Sequence, residues 1–185
     1  MTPTDDAQLP ATEPAAPARP RRLWVFALVG VLVLALDVIS KLIVVAKLPE
    51  PKVERLLGGV IYLDQERNSG AAFSLGTSFT VILSVIAVVV VIVILRFAGR
   101  MRSTGWAIAL GLILGGALGN LSDRIFRAPG VFRGHVVDWI SPFAPYGRDY
   151  AVFNLADSAI VCGAILAALL SVLGIDLSGS RSRRG

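Results

Sequence analysis

Two aspartates set in apolar surroundings, Asp138 and Asp157, are the residues of this chain best suited to do chemistry. Asp138 lies in Val136-Val137-Asp138-Trp139-Ile140, and Asp157 in Phe153-Asn154-Leu155-Ala156-Asp157-Ser158. Like charges in a poorly solvated site cannot both ionise cheaply, so such a pair shares one proton, leaving one carboxylate as base and the other as acid. An aspartic peptidase needs this division, with one group activating water while the other polarises the scissile carbonyl. Taken alone, Asp157 reads equally well as an acid in the first turn of a helix.

The remaining polar residues suggest supports for such a site. Asp37 and Lys41 have the acid-first i,i+4 spacing that neutralises itself on one helix face, either as a structural ion pair or as a brace that orients the site. Asn68-Ser69-Gly70-Ala71-Ala72-Phe73 joins an amide to small residues that allow close backbone approach, although it is also an ordinary turn sequence. Asn120 shares a helix face with Asp123 and Arg124; Asp123 pairs with Arg124 or another base, and Arg124 either holds a substrate carbonyl or lipid phosphate or snorkels to the interface. Asn154 lies three residues before Asp157 and on its face.

Other chemistries are weaker. A Ser/Lys peptidase would use Lys41 with Ser74 or Ser158, but the adjacent Asp37 favours the charged lysine. Zinc would have too few of its usual ligands, since His135 is the only histidine, and no metal or cofactor is implied. A membrane scaffold or channel subunit whose polar cluster binds a partner remains compatible with the composition.

The elements that carry these residues follow from hydropathy. In 185 residues, 55% are hydrophobic and 17% charged, more apolar side chain than one small soluble core can enclose. The fold expected is an all-α integral membrane protein with four transmembrane helices, over about 23–47, 78–97, 106–126 and 152–174. Residues 1–20, rich in Pro and Ala, are expected to be a disordered cytoplasmic tail, residues 21–175 a single transmembrane domain, and residues 176–185 a basic cytoplasmic tail. The apolar stretch after Arg22 is too long for a cleaved signal peptide. Arginines at 19, 21 and 22, at 96, 100 and 102, and at 181, 183 and 184 place both termini in the cytoplasm by the positive-inside rule. Val60 to Leu63 and His135 to Ile140 read as short strands of a small extracytoplasmic β element. No basic stripe with interleaved aromatics suggests nucleic acid, and Cys162, in an apolar run, reads as a buried inert thiol.

Depth then separates enzyme from transporter. At 1.5 Å per residue, Asp37 and Lys41 lie about 21 and 27 Å along the first helix, and Asn154 and Asp157 only about 3 and 8 Å into the fourth. All the polar candidates converge on the outer side, while the inner halves of the helices hold almost no polar side chain. A transmembrane ion path would need a polar relay or an aqueous cavity there, so the asymmetry argues against a transporter.

In order along the chain, Asp37-x-x-x-Lys41, Asn68-Ser-Gly-Ala-Ala-Phe-Ser74, Gly119-Asn120-Leu-Ser-Asp123-Arg124, Gly134-His-Val-Val-Asp138 and Phe153-Asn154-Leu-Ala-Asp157-Ser158 resemble the motifs of the lipoprotein signal peptidase (signal peptidase II) family. The resemblance covers about residues 23–174. It implies that Asp138 and Asp157 are the catalytic dyad, with Asn68, Gly70, Asn120, Arg124, Asn154, Asp37 and Lys41 as supporting or substrate-contacting positions. It further implies cleavage of prolipoproteins just before a diacylglyceryl-modified cysteine, a monomer in the bacterial cytoplasmic membrane with its site facing outward among lipid, and inhibition by globomycin-type compounds.

Overall fold

The computed structural model describes residues 20–70 and 77–181. Four helices among these are long and apolar enough to cross a bilayer: α1 (Leu23–Lys47), α2 (Thr77–Ala98), α3 (Thr104–Phe126) and α4 (Leu155–Val172). Three of them match the hydropathy reading to within two residues at each end. The start of α4 does not, because Val152 and Phe153 are extended instead of helical. Phe153 exchanges backbone hydrogen bonds with Ile140, Ile140 N–H donating at 2.8 Å and Phe153 N–H at 3.0 Å. Asn154, at φ −131° and ψ −177°, is the N-cap.

α3 is the central helix. Half of its span (50%) is buried, against 22%, 17% and 22% for the other three. Small residues permit this, since a bundle in lipid gains its stability from close backbone approach rather than from apolar burial alone. A Cβ on Gly115 would lie 2.6 Å from the Gly30 carbonyl oxygen on α1, and one on Gly119 would lie 2.5 Å from Asp37 Oδ2. Gly116 is equally tight against the Ala156 carbonyl on α4. The outer faces of the other helices carry exposed apolar side chains such as Val31, Leu36, Val89 and Ile165, a surface that only lipid can cover. Cys162 also lies exposed on α4, contrary to the expectation of a buried thiol, because that face of the helix has no protein neighbour.

An antiparallel sheet of order β1-β2-β3 caps one end of the bundle, from β1 (Glu54–Leu56), β2 (Ile61–Asn68) and β3 (Val136–Pro142). The apolar pattern locates β3 and the start of β2. It misses β1, which is wholly exposed, and the polar second half of β2. Within β2 the register shifts by one between Leu63, paired with Ile140, and Glu66, paired with Asp138. A one-residue bulge exchanges the two faces of a strand for everything beyond it. It brings Asn68 onto the face of Asp138; in an unbroken strand Asn68 would point the other way. Val44, Leu48 and Val137 pack beneath the sheet, and Phe26, Ile94, Met101 and Leu114 form the core at the opposite end.

The glycine contacts predict that Gly115→Val destabilises the protein by about 1–3 kcal/mol through overpacking. Gly130→Ala, where nothing lies within 4 Å of the new Cβ, should be neutral. Thermal unfolding in detergent distinguishes the two, and equal melting temperatures would refute the packing argument.

Candidate active site

Lys41 is fully buried and its ammonium is held by three groups. It forms ion pairs with Asp37 Oδ2 at 2.7 Å and Asp123 Oδ2 at 3.1 Å and donates a hydrogen bond to Asn120 Oδ1 at 2.9 Å. Each carboxylate carries the connection further. Asp37 Oδ1 accepts the Ala156 N–H at 2.9 Å, capping the first turn of α4 from a different helix. Asp123 accepts the Val137 N–H at 3.2 Å and a bond from Arg127 Nε. One ammonium therefore ties α1 to α3 and, through its acids, to α4 and β3. The pair proposed from spacing is both a structural ion pair and a brace, and Asp123 pairs with Lys41 and Arg127 rather than with Arg124.

Three asparagines aim at the two aspartates, and each is oriented from behind by a donor that occupies its carbonyl oxygen. Gly70 N–H donates to Asn68 Oδ1 at 2.7 Å, leaving Asn68 Nδ2 to donate to Asp138 Oδ2 at 2.8 Å. Gly70 makes this turn at φ +87°, a conformation that favours glycine. Asp157 N–H donates to Asn154 Oδ1 at 2.9 Å, and Asn154 Nδ2 then reaches Asp138 Oδ1 at 2.6 Å. Lys41 holds Asn120 Oδ1, so Asn120 Nδ2 donates to Asp157 Oδ1 at 2.7 Å. Asp157 Oδ2 accepts the Asn154 N–H at 3.2 Å, completing a capping box at the start of α4. Asn154 thus touches both aspartates. It is also carried beside β3 by the bridge between Phe153 and Ile140, which closes the gap of nineteen residues.

Asp138 is 2% exposed. Burial, reinforced by the charge of Asp157, pushes its carboxyl up to about 7 against the two amide hydrogen bonds, which act in the other direction. Both aspartates line a cavity of about 490 Å³ that includes Asn68 and Ser158 and continues along the exposed face of α4 past Val161 and Cys162. Arg124, buried at the end of α3, interacts electrostatically with Asp138, Asp157 and Asp123. Its Nη1 is buried without a hydrogen-bond partner.

All nine residues singled out from the sequence meet in this one cluster. Val136, Val137 and Ala156, beside the aspartates in sequence, are packed in the core, while Phe73 and Ser74 lie outside the described residues. Ser158 Oγ donates to the Asn154 carbonyl at 3.0 Å, and the Lys41 ammonium is engaged by Asp37, Asp123 and Asn120 rather than placed to accept the Ser158 proton, so this serine and lysine form no Ser/Lys couple. Sequence reasoning missed Arg127, although its i,i+4 spacing from Asp123 was available, and Asp64, a buried carboxylate that accepts the Tyr146 N–H at 2.6 Å.

Two expected outcomes follow from this geometry. Lys41→Met leaves Asp37 and Asp123 in the interior without their cation and should cost about 3–5 kcal/mol, read as a large fall in melting temperature; unchanged melting would contradict the hub. Asp138 has a folded value of about 7 against an ordinary 3.8, so its proton stabilises the fold fully below about pH 4, and that contribution is lost as pH rises to about 7. Asp138→Asn should accordingly melt higher than wild type at pH 8, with the difference closing towards pH 4. A difference independent of pH would show that Asp138 titrates normally.

A profile of the signal peptidase (SPase) II family matches residues 29–173. Among similar sequences, the lipoprotein signal peptidases of Streptomyces coelicolor and Streptomyces griseus are 52% and 50% identical, over 86% and 96% of this chain and 76% and 89% of their own lengths. That of Mycobacterium tuberculosis (strain H37Rv) is 47% identical over 95% of this chain and 84% of its own length. The fold resembles a bacterial membrane enzyme solved at 1.9 Å, with a TM-score of 0.72 at 24% identity over 85% of this chain and 98% of that one. With the profile spanning most of the domain and full-length relatives near half identity, this multi-pass membrane protein belongs to the signal peptidase II family of peptidases.

Proposed function

We propose that the chain is an aspartic endopeptidase that removes signal peptides from prolipoproteins, cutting before a diacylglyceryl-modified cysteine at the outer face of the bacterial cytoplasmic membrane. The observation that carries this reading is the joint placement of Asp138 and Asp157 on one cavity, with Asn154 bonded to both. The relatives named above, called lipoprotein signal peptidases, supply the substrate class. The arginine distribution supports the outward orientation.

In the mechanism, the dyad holds one proton, which resides on Asp138, the more buried of the two carboxyls. Asp157 takes a proton from water as the water oxygen attacks the scissile carbonyl, and Asp138 donates a hydrogen bond to the oxygen that becomes negative. On collapse, the C–N bond breaks and the leaving amine nitrogen takes the proton held by Asp157. Asn68, Asn120 and Asn154 keep the carboxylates in position. The unpaired Arg124 Nη1 is available to a substrate carbonyl. The lower cavity beside Val161 and Cys162 faces lipid and accepts the acyl chains, each buried CH₂ contributing about 0.8 kcal/mol. An inhibitor of the globomycin type would compete for the same cavity. Every group used here is supplied by one chain, so the mechanism requires no second copy.

The test is cleavage of a diacylglyceryl prolipoprotein in proteoliposomes. Asp138→Asn and Asp157→Asn should each lower kcat by about 10³-fold or more while remaining membrane-inserted, and near wild-type turnover by either would end the dyad proposal. For the wild type, kcat/KM should fall by about tenfold per pH unit above about 7, as the shared proton leaves Asp138. A flat profile between pH 6 and 9 would remove the proton from the mechanism.

A further inference from the structure

We propose that the two residues following the lipid-bearing cysteine of the substrate bind in a second cavity, beside β2, where Glu66 favours basic side chains over acidic ones; this rests on the peptidase reading above. The cavity measures about 290 Å³, and Glu66, Arg67, Tyr146 and Gly147 are among the residues of its wall. It shares Asn68, Ala151 and Val152 with the cavity of the two aspartates, so a chain bound at the dyad can continue into it.

The chemistry of the walls decides which part of a substrate enters. The apolar end of the aspartate cavity runs along α4 to Val161 and Cys162, and the cavity beside β2 joins its other end, against the sheet. The signal segment is apolar and stays in the bilayer, and a charged wall would have to be desolvated to receive it. The segment after the cysteine leaves the membrane for water, and its extended, polar chain suits walls of Glu66, Arg67 and Asn68. In β2, Glu66 and Asn68 are two residues apart and share a face. The Glu66 level is therefore about 7 Å from that of Asn68, the reach of two extended residues.

Glu66 stands against a wall that is fixed in advance. Asp64, wholly buried, accepts the Tyr146 N–H at 2.6 Å and holds Tyr146 at φ +56°, a conformation costly for a bulky residue. Tyr146 Oη donates to the Pro51 carbonyl at 2.6 Å, and Gly147 N–H to Ser141 Oγ at 3.1 Å. A Cβ on Gly147 would lie 3.8 Å from Glu66 Oε2, so the carboxylate faces this turn. Among the described residues Glu66 has no ion-pair partner. Burial, with the acids Asp64 and Glu50 near it, holds its carboxyl above the ordinary carboxylate range. Such a group gains from an incoming cation, while an incoming acid meets like charge. Arg67, which alternation assigns to the other face of β2, is the rival charge of this wall.

The test is cleavage in phosphatidylcholine proteoliposomes of prolipoproteins that differ only in carrying Lys-Lys, Ala-Ala or Glu-Glu after the cysteine. The lysine substrate should exceed the glutamate one by about fivefold in kcat/KM, through KM. Glu66→Gln should bring the two within about twofold, while Glu54→Gln, which removes another exposed acid of the same sheet, should keep the wild-type ratio. Asp64→Ala should raise KM for the lysine substrate with kcat held, and Asp64→Asn, which keeps an acceptor for the Tyr146 N–H, should restore it. A fall in kcat alone would reduce Asp64 to a structural role. Glu66→Gln, at an exposed position, carries the test even where Asp64→Ala folds poorly. Equal rates for all three substrates overturn the preference and leave the peptidase standing, whereas no cleavage of any removes both. A preference for glutamate would give the wall to Arg67, and a loss of the ratio in Glu54→Gln would mean that net charge alone is sensed; either overturns the role of Glu66.

Discussion

The buried ammonium of Lys41 is the interaction on which the arrangement of this protein depends. An ion of this size is tolerated away from water only when its charge is matched, and here the match comes from the ion pairs to Asp37 and Asp123 and the hydrogen bond to Asn120. Because the acceptors in turn hold the first turn of α4 and the start of β3, the geometry of both aspartate-bearing elements follows from one cation. Gly119 belongs to the same constraint, since any side chain there would displace Asp37.

From that hub the order passes outward through amides. An asparagine has one acceptor and one donor end, and at all three positions a donor behind the side chain decides which end faces the carboxylates. Aspartate in these places would add charge to a site that already holds four acids, and alanine would leave Asp138 or Asp157 unsupported. The result is a cluster in which Lys41, Arg124 and Arg127 face Asp37, Asp123, Asp138 and Asp157, and the burial that pushes Asp138 up to about 7 brings the two signs closer to balance.

Much of this was legible in the chain itself. The four spans follow from composition, because nothing but lipid could cover Val31, Val89 or Ile165. The convergence of polar residues follows from depth, which helix rise converts directly from residue number. The polar half of β2 was not legible, since Asp64 to Asn68 carry no apolar alternation and owe their strand to pairing with β3, seventy residues away. The bulge that turns Asn68 towards Asp138 has no local signal either. The start of α4 was misplaced by reading Val152 and Phe153 as helix, when Asn154 and Asp157 at cap and third position already spelled a capping box. What hydropathy cannot see, in each case, is a hydrogen bond to a partner far along the chain.

The ion pair Asp37–Lys41 lies within α1, and Asp123–Arg127 joins the last turn of α3 to the residue that caps it, each pair four residues apart. During synthesis α1 must partition into the bilayer before α3 has left the ribosome, at a time when no other part of the cluster exists. An isolated charge would oppose that step by about 2.5–3.5 kcal/mol, but each of these helices brings the counter-ion for its own acid. Lys41 can then reach across to Asp123 once the helices meet, so an ionic centre is assembled in lipid from segments that enter it already paired.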